Sequence, residues 1–95
     1  MISVVFLAAR APFTLADSLE RAGFRVFEAL AVSEVLHLCE QEHIDIVVIA
    51  ADVESPGVHD IHDKHTTLRL KPEATAKELI SELWQLFPEK AVRVQ

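Results

Sequence analysis

The chain has 95 residues, about half of them hydrophobic, so we expect one domain with a packed core rather than a disordered segment. Its formal net charge is −6 and its basic residues form no cluster, which argues against nucleic acid and anionic membrane as partners. A single cysteine, Cys39, excludes an internal disulfide and fits a reducing cytoplasm, and neither a signal peptide nor the roughly 20-residue apolar run of a membrane span is visible.

The N-terminal part of the chain predicts a strand followed by a helix. Residues 2–7 form a continuous apolar run, which is typical of a strand buried on both faces. Pro12 is suited to the first turn of a helix, where its missing N–H is not needed. Apolar residues then recur at helical spacing over residues 13–22, and Gly23 is the predicted C-cap.

A second strand and helix follow, and then the most hydrophobic run of the chain. Residues 24–29 are less uniformly apolar and predict a strand nearer the edge of the sheet. Ser33 is the predicted N-cap of the second helix, because its hydroxyl can accept a hydrogen bond from the first turn. Residues 44–50 predict the central strand. The predicted core stripe of the second helix is Val35, Leu36 and Cys39.

The C-terminal part predicts a half-solvated strand and a well-marked helix. In residues 66–70 leucines alternate with polar residues, the pattern of an edge strand with one face in water. Thr75 and Glu78 have the spacing of a capping box at the start of a helix, which Pro88 ends. The order of elements indicates an α/β fold with a mostly parallel sheet.

Two stretches of the second half suggest a family. The apolar strand that ends at Ala50 runs through Asp52 to a Pro-Gly turn, and the later strand ends in Lys71-Pro72. These stretches resemble the phosphoacceptor and switch-lysine ends of a response-regulator receiver domain. The resemblance covers nearly the whole chain, but the region between the Pro-Gly turn and the strand that ends in Lys71-Pro72 is shorter than in a receiver.

The resemblance implies a three-layer, flavodoxin-like sandwich with a shortened parallel sheet of about four strands in the order 2-1-3-4. Three main helices would cover it, with the first and last on one face and the second on the other. Segment 53–65 is just long enough for a parallel crossover with a turn or two of helix. Residues 1–88 would then be one truncated receiver-like domain, and residues 89–95 a C-terminal tail.

The resemblance also implies roles for three residues. Asp52 matches the phosphoacceptor by its distance from the turn proline, although an alignment from the start of the strand puts Ala50 in that position. Lys71 matches the lysine that pairs with the phosphoryl group, and Pro72 is the proline that follows it. These residues make up a candidate degenerate phosphoacceptor region.

The end of the first strand lacks the acids that phosphoryl transfer needs. In receivers an acidic pair there holds Mg²⁺, whereas this chain has Ala8 and Ala9. Because Mg²⁺ is bound through carboxylates, we expect the phosphoryl chemistry to be lost. The alternative structural interpretation is that Asp52 caps or turns the chain and Lys71 pairs with it or with Glu54.

A histidine-rich segment is the other candidate site. Its nitrogen and oxygen donors suit Zn²⁺ or Ni²⁺. On a helix, however, a spacing of three residues turns by about 60°, so three histidines cannot all face one ion without distortion. Pairs such as His59 with Asp63, or His62 with His65, would chelate weakly. The alternative is a solvated crossover in which Val58, Ile61 and His65 pack on the sheet. The segment is His59, Asp60, Ile61, His62, Asp63, Lys64 and His65.

These observations favour a cytoplasmic, non-enzymatic pseudo-receiver that acts in signal transduction through protein–protein contact, without a cofactor. Two alternatives remain: a metal-binding sensor that uses residues 59–65, and a regulator that is still phosphorylated on Asp52. Neither the protein partner nor the pathway follows from the sequence.

A homodimer is the final prediction, and it comes from the number of helices. One helix shields roughly two strands, so four strands need two helices on each face. With three main helices, the face under the second helix would depend on segment 53–65, which offers few apolar residues to the strand at 44–50. A second copy could supply the missing layer.

Overall fold

A computed structural model describes residues 2–9, 14–53 and 57–87, which form a four-stranded parallel sheet between two layers of helices. The strand order is β2-β1-β3-β4, so the predicted α/β, flavodoxin-like fold is confirmed. Within the described ranges, no helix combines the length and hydrophobicity needed to cross a bilayer. The elements are β1 (Ser3–Leu7), α1 (Thr14–Arg21), β2 (Arg25–Ala29), α2 (Val32–Gln41), β3 (Ile46–Ile49), α3 (Val58–Lys64), β4 (Thr67–Arg69) and α4 (Ala76–Leu86).

Strand β1 lies inside the sheet and pairs in parallel with both β2 and β3. Val5, for example, is in register with Phe27 on one side and Val47 on the other. All five residues of β1 are buried, as the continuous apolar run predicted. Since successive side chains of a strand point to opposite faces, β1 contributes to two separate cores.

One core lies between the sheet and the first and last helices, and we call it the α1/α4 face. Near one end of it the rings of Phe24 and Trp84 pack with centroids 4.9 Å apart. Helices α1 and α4 contact each other on this face, which confirms that the first and last helices share it. The buried residues from the sheet are Val4, Phe6, Ile46 and Val48, and those from the helices are Ala16, Leu19, Leu79 and Leu83.

The opposite core, which we call the α2/α3 face, is better covered than the sequence indicated. Segment 53–65 contains a seven-residue helix, α3, which is about two turns long, as predicted for this crossover, and is a fourth helix beside the three main ones. Its Ile61 is fully buried, and so are Val47 and Ile49 of β3 beneath it. The prediction that too few helical side chains cover this face is therefore wrong, and it no longer supports a homodimer. The core consists of Val5, Leu7, Ala29, Val35, Val47, Ile49, Val53, Val58 and Ile61.

The helix ends agree with the sequence at two places and differ at one. Gly23 has a positive φ of 101° after α1, as a glycine C-cap requires. Thr75 accepts a hydrogen bond from the backbone N–H of Glu78 at 3.2 Å, which confirms the predicted cap of α4. Ser33 is not an N-cap, because α2 begins one residue earlier. Predictions for Pro12, for Pro88 and for the tail 89–95 fall outside the described residues.

The start of α2 is organised by a different residue. Its N-cap is Ala31, which has no side chain able to accept a hydrogen bond. Glu34 instead reaches back, and its Oε1 accepts from the backbone N–H of Leu30 at 3.1 Å. An acidic residue in the first turn also suits the positive end of the helix dipole.

Candidate binding cleft at the carboxyl end of the sheet

A cleft of about 450 Å³ lies where β3 and β4 end. In a parallel sheet all strands end at the same edge, and ligands of α/β proteins bind in crevices there. The walls come from these two strand ends, from the first turn of α1 and from the segment before α4. The lining is Leu15, Ala50, Ala51, Asp52, Leu70, Lys71, Pro72 and Ala74.

The three residues singled out by the receiver resemblance come together in this cleft. Asp52 follows β3, whereas Lys71 and Pro72 follow β4, and all three line the same space. They are far apart in sequence and meet because β3 and β4 are neighbours with parallel direction.

The carboxylate of Asp52 also reaches the end of β1. Its Oδ1 accepts a hydrogen bond from the backbone N–H of Ala9 at 3.5 Å, a long bond between two loops of the sheet edge. Asp52 therefore joins the β1 and β3 loops, whereas the turn that it was alternatively predicted to cap includes residues 54–56, which lie outside the described residues. Beside it, Ala8 and Ala9 present methyl groups where a receiver has acids.

Asp52 and Lys71 do not neutralise each other. No ion pair joins them, and within the described part of the chain the Lys71 ammonium makes no ion pair at all. The predicted Asp52–Lys71 pair is therefore not formed, and the alternative partner, Glu54, is outside the described residues. The cleft thus holds one negative and one positive side chain on an apolar lining, which suits binding by charge and shape.

The histidine-rich segment does not converge on one point in what the structure describes. His59 and Asp63 are exposed on α3, His65 is half-buried at its C-cap, and the side chain of His62 falls outside the described atoms. Among the described side chains, no three of the His, Cys, Asp and Glu type are grouped to hold a metal ion. Val58 and Ile61 are buried on the sheet, as the crossover interpretation predicted.

Cys39 packs against the α2/α3 core, as predicted for a small core residue. Burial raises the pKa of its thiol, because the thiolate would lose hydration. A raised pKa lowers the thiolate fraction at neutral pH, which is the opposite of what a nucleophile needs.

Two structural contributions were missed in the sequence. Leu15 and Ala74 form walls of the cleft, and Leu15 is distant in sequence from both of its charged residues. The sequence placed Arg69 only on the solvent-exposed face of the predicted strand. In the structure its Nη2 donates a hydrogen bond to the backbone carbonyl of Val53. This bond joins the end of β4 to the loop after β3. Residues at the starts of helices could have been predicted as cleft walls, because helix starts adjoin the carboxyl edge of a parallel sheet.

The sequence matches no protein-family model and no curated protein at a significant level.

Proposed function

We propose that this chain is a receiver-like regulatory domain of the cytoplasm that acts through contacts with other proteins and has no phosphoryl-transfer activity. The observation that carries the proposal is the surroundings of Asp52. Its carboxylate bonds to the backbone N–H of Ala9, and the two residues that follow the buried core of β1 there are alanines. Phosphoryl transfer depends on a metal ion that neutralises charge, and alanine side chains supply no ligand to one.

Two exposed leucines support the protein-contact part of the proposal. Leu30 and Leu86 are 51% and 50% exposed, and large apolar side chains left in water favour contact surfaces when they adjoin other apolar groups. Leu30 borders a depression of about 340 Å³ whose lining includes Ala8, Ala9 and Val53. We extend the proposal to a homodimer that buries Leu30 or Leu86.

Phosphoryl transfer is tested with acetyl phosphate and Mg²⁺, followed by rapid intact mass spectrometry. We expect no added phosphoryl group on the wild-type chain and none on Asp52→Asn. Ala9→Asp, at an exposed position, places a carboxylate at this edge of the sheet. Because a carboxylate can bind a divalent metal ion, Mn²⁺ should then broaden the NMR signals of residues near Asp52 more than in the wild type. Stoichiometric modification of the wild type that disappears in Asp52→Asn would refute the non-catalytic function.

Association is tested by light scattering at micromolar concentrations. A dimer would have twice the 10.6 kDa mass of one chain, and Leu30→Glu or Leu86→Glu should reduce it to a monomer. Glu40→Gln, an exposed change on α2, is the matched control that should leave the mass unchanged. A wild-type mass near that of one chain at every concentration would exclude the homodimer. Co-purifying proteins that both leucine variants retain would count against these leucines as the contact surface.

A further inference from the structure

The cleft at the carboxyl end of the sheet contains two opposite charges with little internal compensation. Lys71 makes no ion pair within the described residues, and Asp52 has a single long hydrogen bond of 3.5 Å from Ala9. Both side chains line the same cleft. Opposite charges that share a cleft without meeting leave space for a molecule that carries both signs.

The remaining walls of the cleft are apolar and are fixed by the protein core. Leu70 is buried in the α1/α4 core, and Leu15, Ala50 and Ala74 pack against that core. A wall held by core packing is formed before a ligand arrives, which lowers the entropy lost on binding. The volume of about 450 Å³ is in the usual range for small-molecule sites, roughly 300–1,000 Å³.

We propose that this cleft binds a small aliphatic zwitterion of the amino-acid class. Its ammonium group would lie against the carboxylate of Asp52, its carboxylate against the ammonium of Lys71, and its aliphatic part against Leu15 and Leu70. Recognition of this kind involves no metal ion and no covalent step. It goes beyond the proposed function, because it gives the domain a chemical input that requires no protein partner.

The expected affinity is low, since both charged side chains are exposed to solvent. Exposed ion pairs contribute little, and a ligand held by two of them and a small apolar contact should have a dissociation constant of about 1 mM. Removal of either ligand charge should weaken binding by about fivefold.

The test is an NMR titration of the ¹⁵N-labelled full chain with leucine and two blocked derivatives. Leucine should shift the amide signals of residues 50–52, 70, 71, 73 and 74, since Pro72 has no amide hydrogen. N-acetyl-leucine lacks the ammonium group and leucine amide lacks the carboxylate, so each should bind about fivefold more weakly at the same residues. Absence of leucine-induced shifts at tens of millimolar, or equal binding of all three compounds, would overturn the proposal.

Two variants assign each charge to its partner. Asp52→Asn should weaken binding of leucine but not of N-acetyl-leucine, and Lys71→Met should weaken binding of leucine but not of leucine amide. The control variants Asp60→Asn and Lys64→Met, both exposed on α3, should bind leucine like the wild type. If the cleft variants also bind leucine like the wild type, the zwitterion site is refuted, whatever the phosphorylation and light-scattering results are.

Discussion

Both faces of the sheet carry a buried core, but the helices that cover them begin in different ways. On the α1/α4 face, α4 has eleven residues and begins with a side-chain cap from Thr75. On the α2/α3 face, α2 and α3 begin without a side-chain cap, and α3 has only seven residues. A helix of that length is not stable by itself in water. Local sequence signals therefore support one face, whereas tertiary packing holds the other.

The largest expected effect comes from removing a central side chain on each face. Ile61 of α3 and Leu83 of α4 are both fully buried, so Ile61→Ala and Leu83→Ala should each lower the free energy of unfolding by about 2–5 kcal/mol. Denaturation in urea measures the two losses. Hydrogen exchange should separate them further, because α3 loses its main anchor and should open locally, while the capped α4 should not. A loss below about 1 kcal/mol for Ile61→Ala would show that packing does not hold α3.

The contact between α2 and α3 is tested at Gly57. Its φ of −67° is open to any residue, so Gly57→Ala would by itself stabilise the chain by about 0.4–1 kcal/mol. The new Cβ would lie 3.0 Å from Cγ1 of Val32, however, and we expect a net loss of about 1 kcal/mol from overpacking.

The sign of the Gly57 effect depends on its neighbour. In a Val32→Ala background the obstructing methyl group is gone, and Gly57→Ala should then stabilise the chain. Thermal or urea unfolding of the four chains in this cycle gives the interaction energy directly. Equal effects of Gly57→Ala in both backgrounds would mean that α2 and α3 do not touch there.

An effect of similar size distinguishes the helix starts of the two faces. Thr75→Ala removes the cap of α4 and should lower the free energy of unfolding by about 1 kcal/mol. Ser33→Ala, in the first turn of α2, should change it by less than about 0.5 kcal/mol, because α2 is not capped by Ser33. Urea denaturation measures both changes in the free energy of unfolding. Similar losses for Thr75→Ala and Ser33→Ala would show that Ser33 does act as a cap.

The smallest effect is a change in thiol chemistry on the α2/α3 face. Since burial raises the pKa of Cys39, its reaction with iodoacetamide at pH 8 should be slower than in the urea-unfolded chain, and the rate should continue to rise above the pH expected for a free thiol. Ile61→Ala should accelerate the reaction by loosening this face. A rate in the native protein equal to that of the unfolded chain would show that the thiol is not protected.

The sequence predicted most of the fold where its signals are local. Continuous apolar runs located the strands, Gly23 marked the end of α1, and Thr75 marked the start of α4. The prediction was wrong at Ser33, because the side chain of the next residue, Glu34, organises the start of α2 instead. It also underestimated the cover of the α2/α3 face, because the burial of Val53, Val58 and Ile61 depends on how α3 packs on the sheet.

The candidate site was predictable to a similar extent. Asp52, Lys71 and Pro72 follow strands, and every residue in that position of a parallel sheet reaches the carboxyl edge. Leu15 and Ala74 were missed because a cleft wall depends on which helix start adjoins which strand end. An ion pair between Asp52 and Lys71 depends on the distance between their side chains in the folded chain, and sequence patterns do not give that distance.

The position of α4 at the end of the described chain has a consequence for synthesis on the ribosome. Val4 and Phe6 are covered on one face by Leu79 and Leu83, which are made much later. Until α4 emerges, the α1/α4 face of the sheet stays open to water, and such exposed apolar surface attracts chaperones or other nascent chains. Strand β1 also pairs with β3, whose register partners such as Val4 and Ile46 are far apart in the sequence, and such long-range contacts are slow to form. Folding of this small domain is therefore completed only after nearly all of it has been translated.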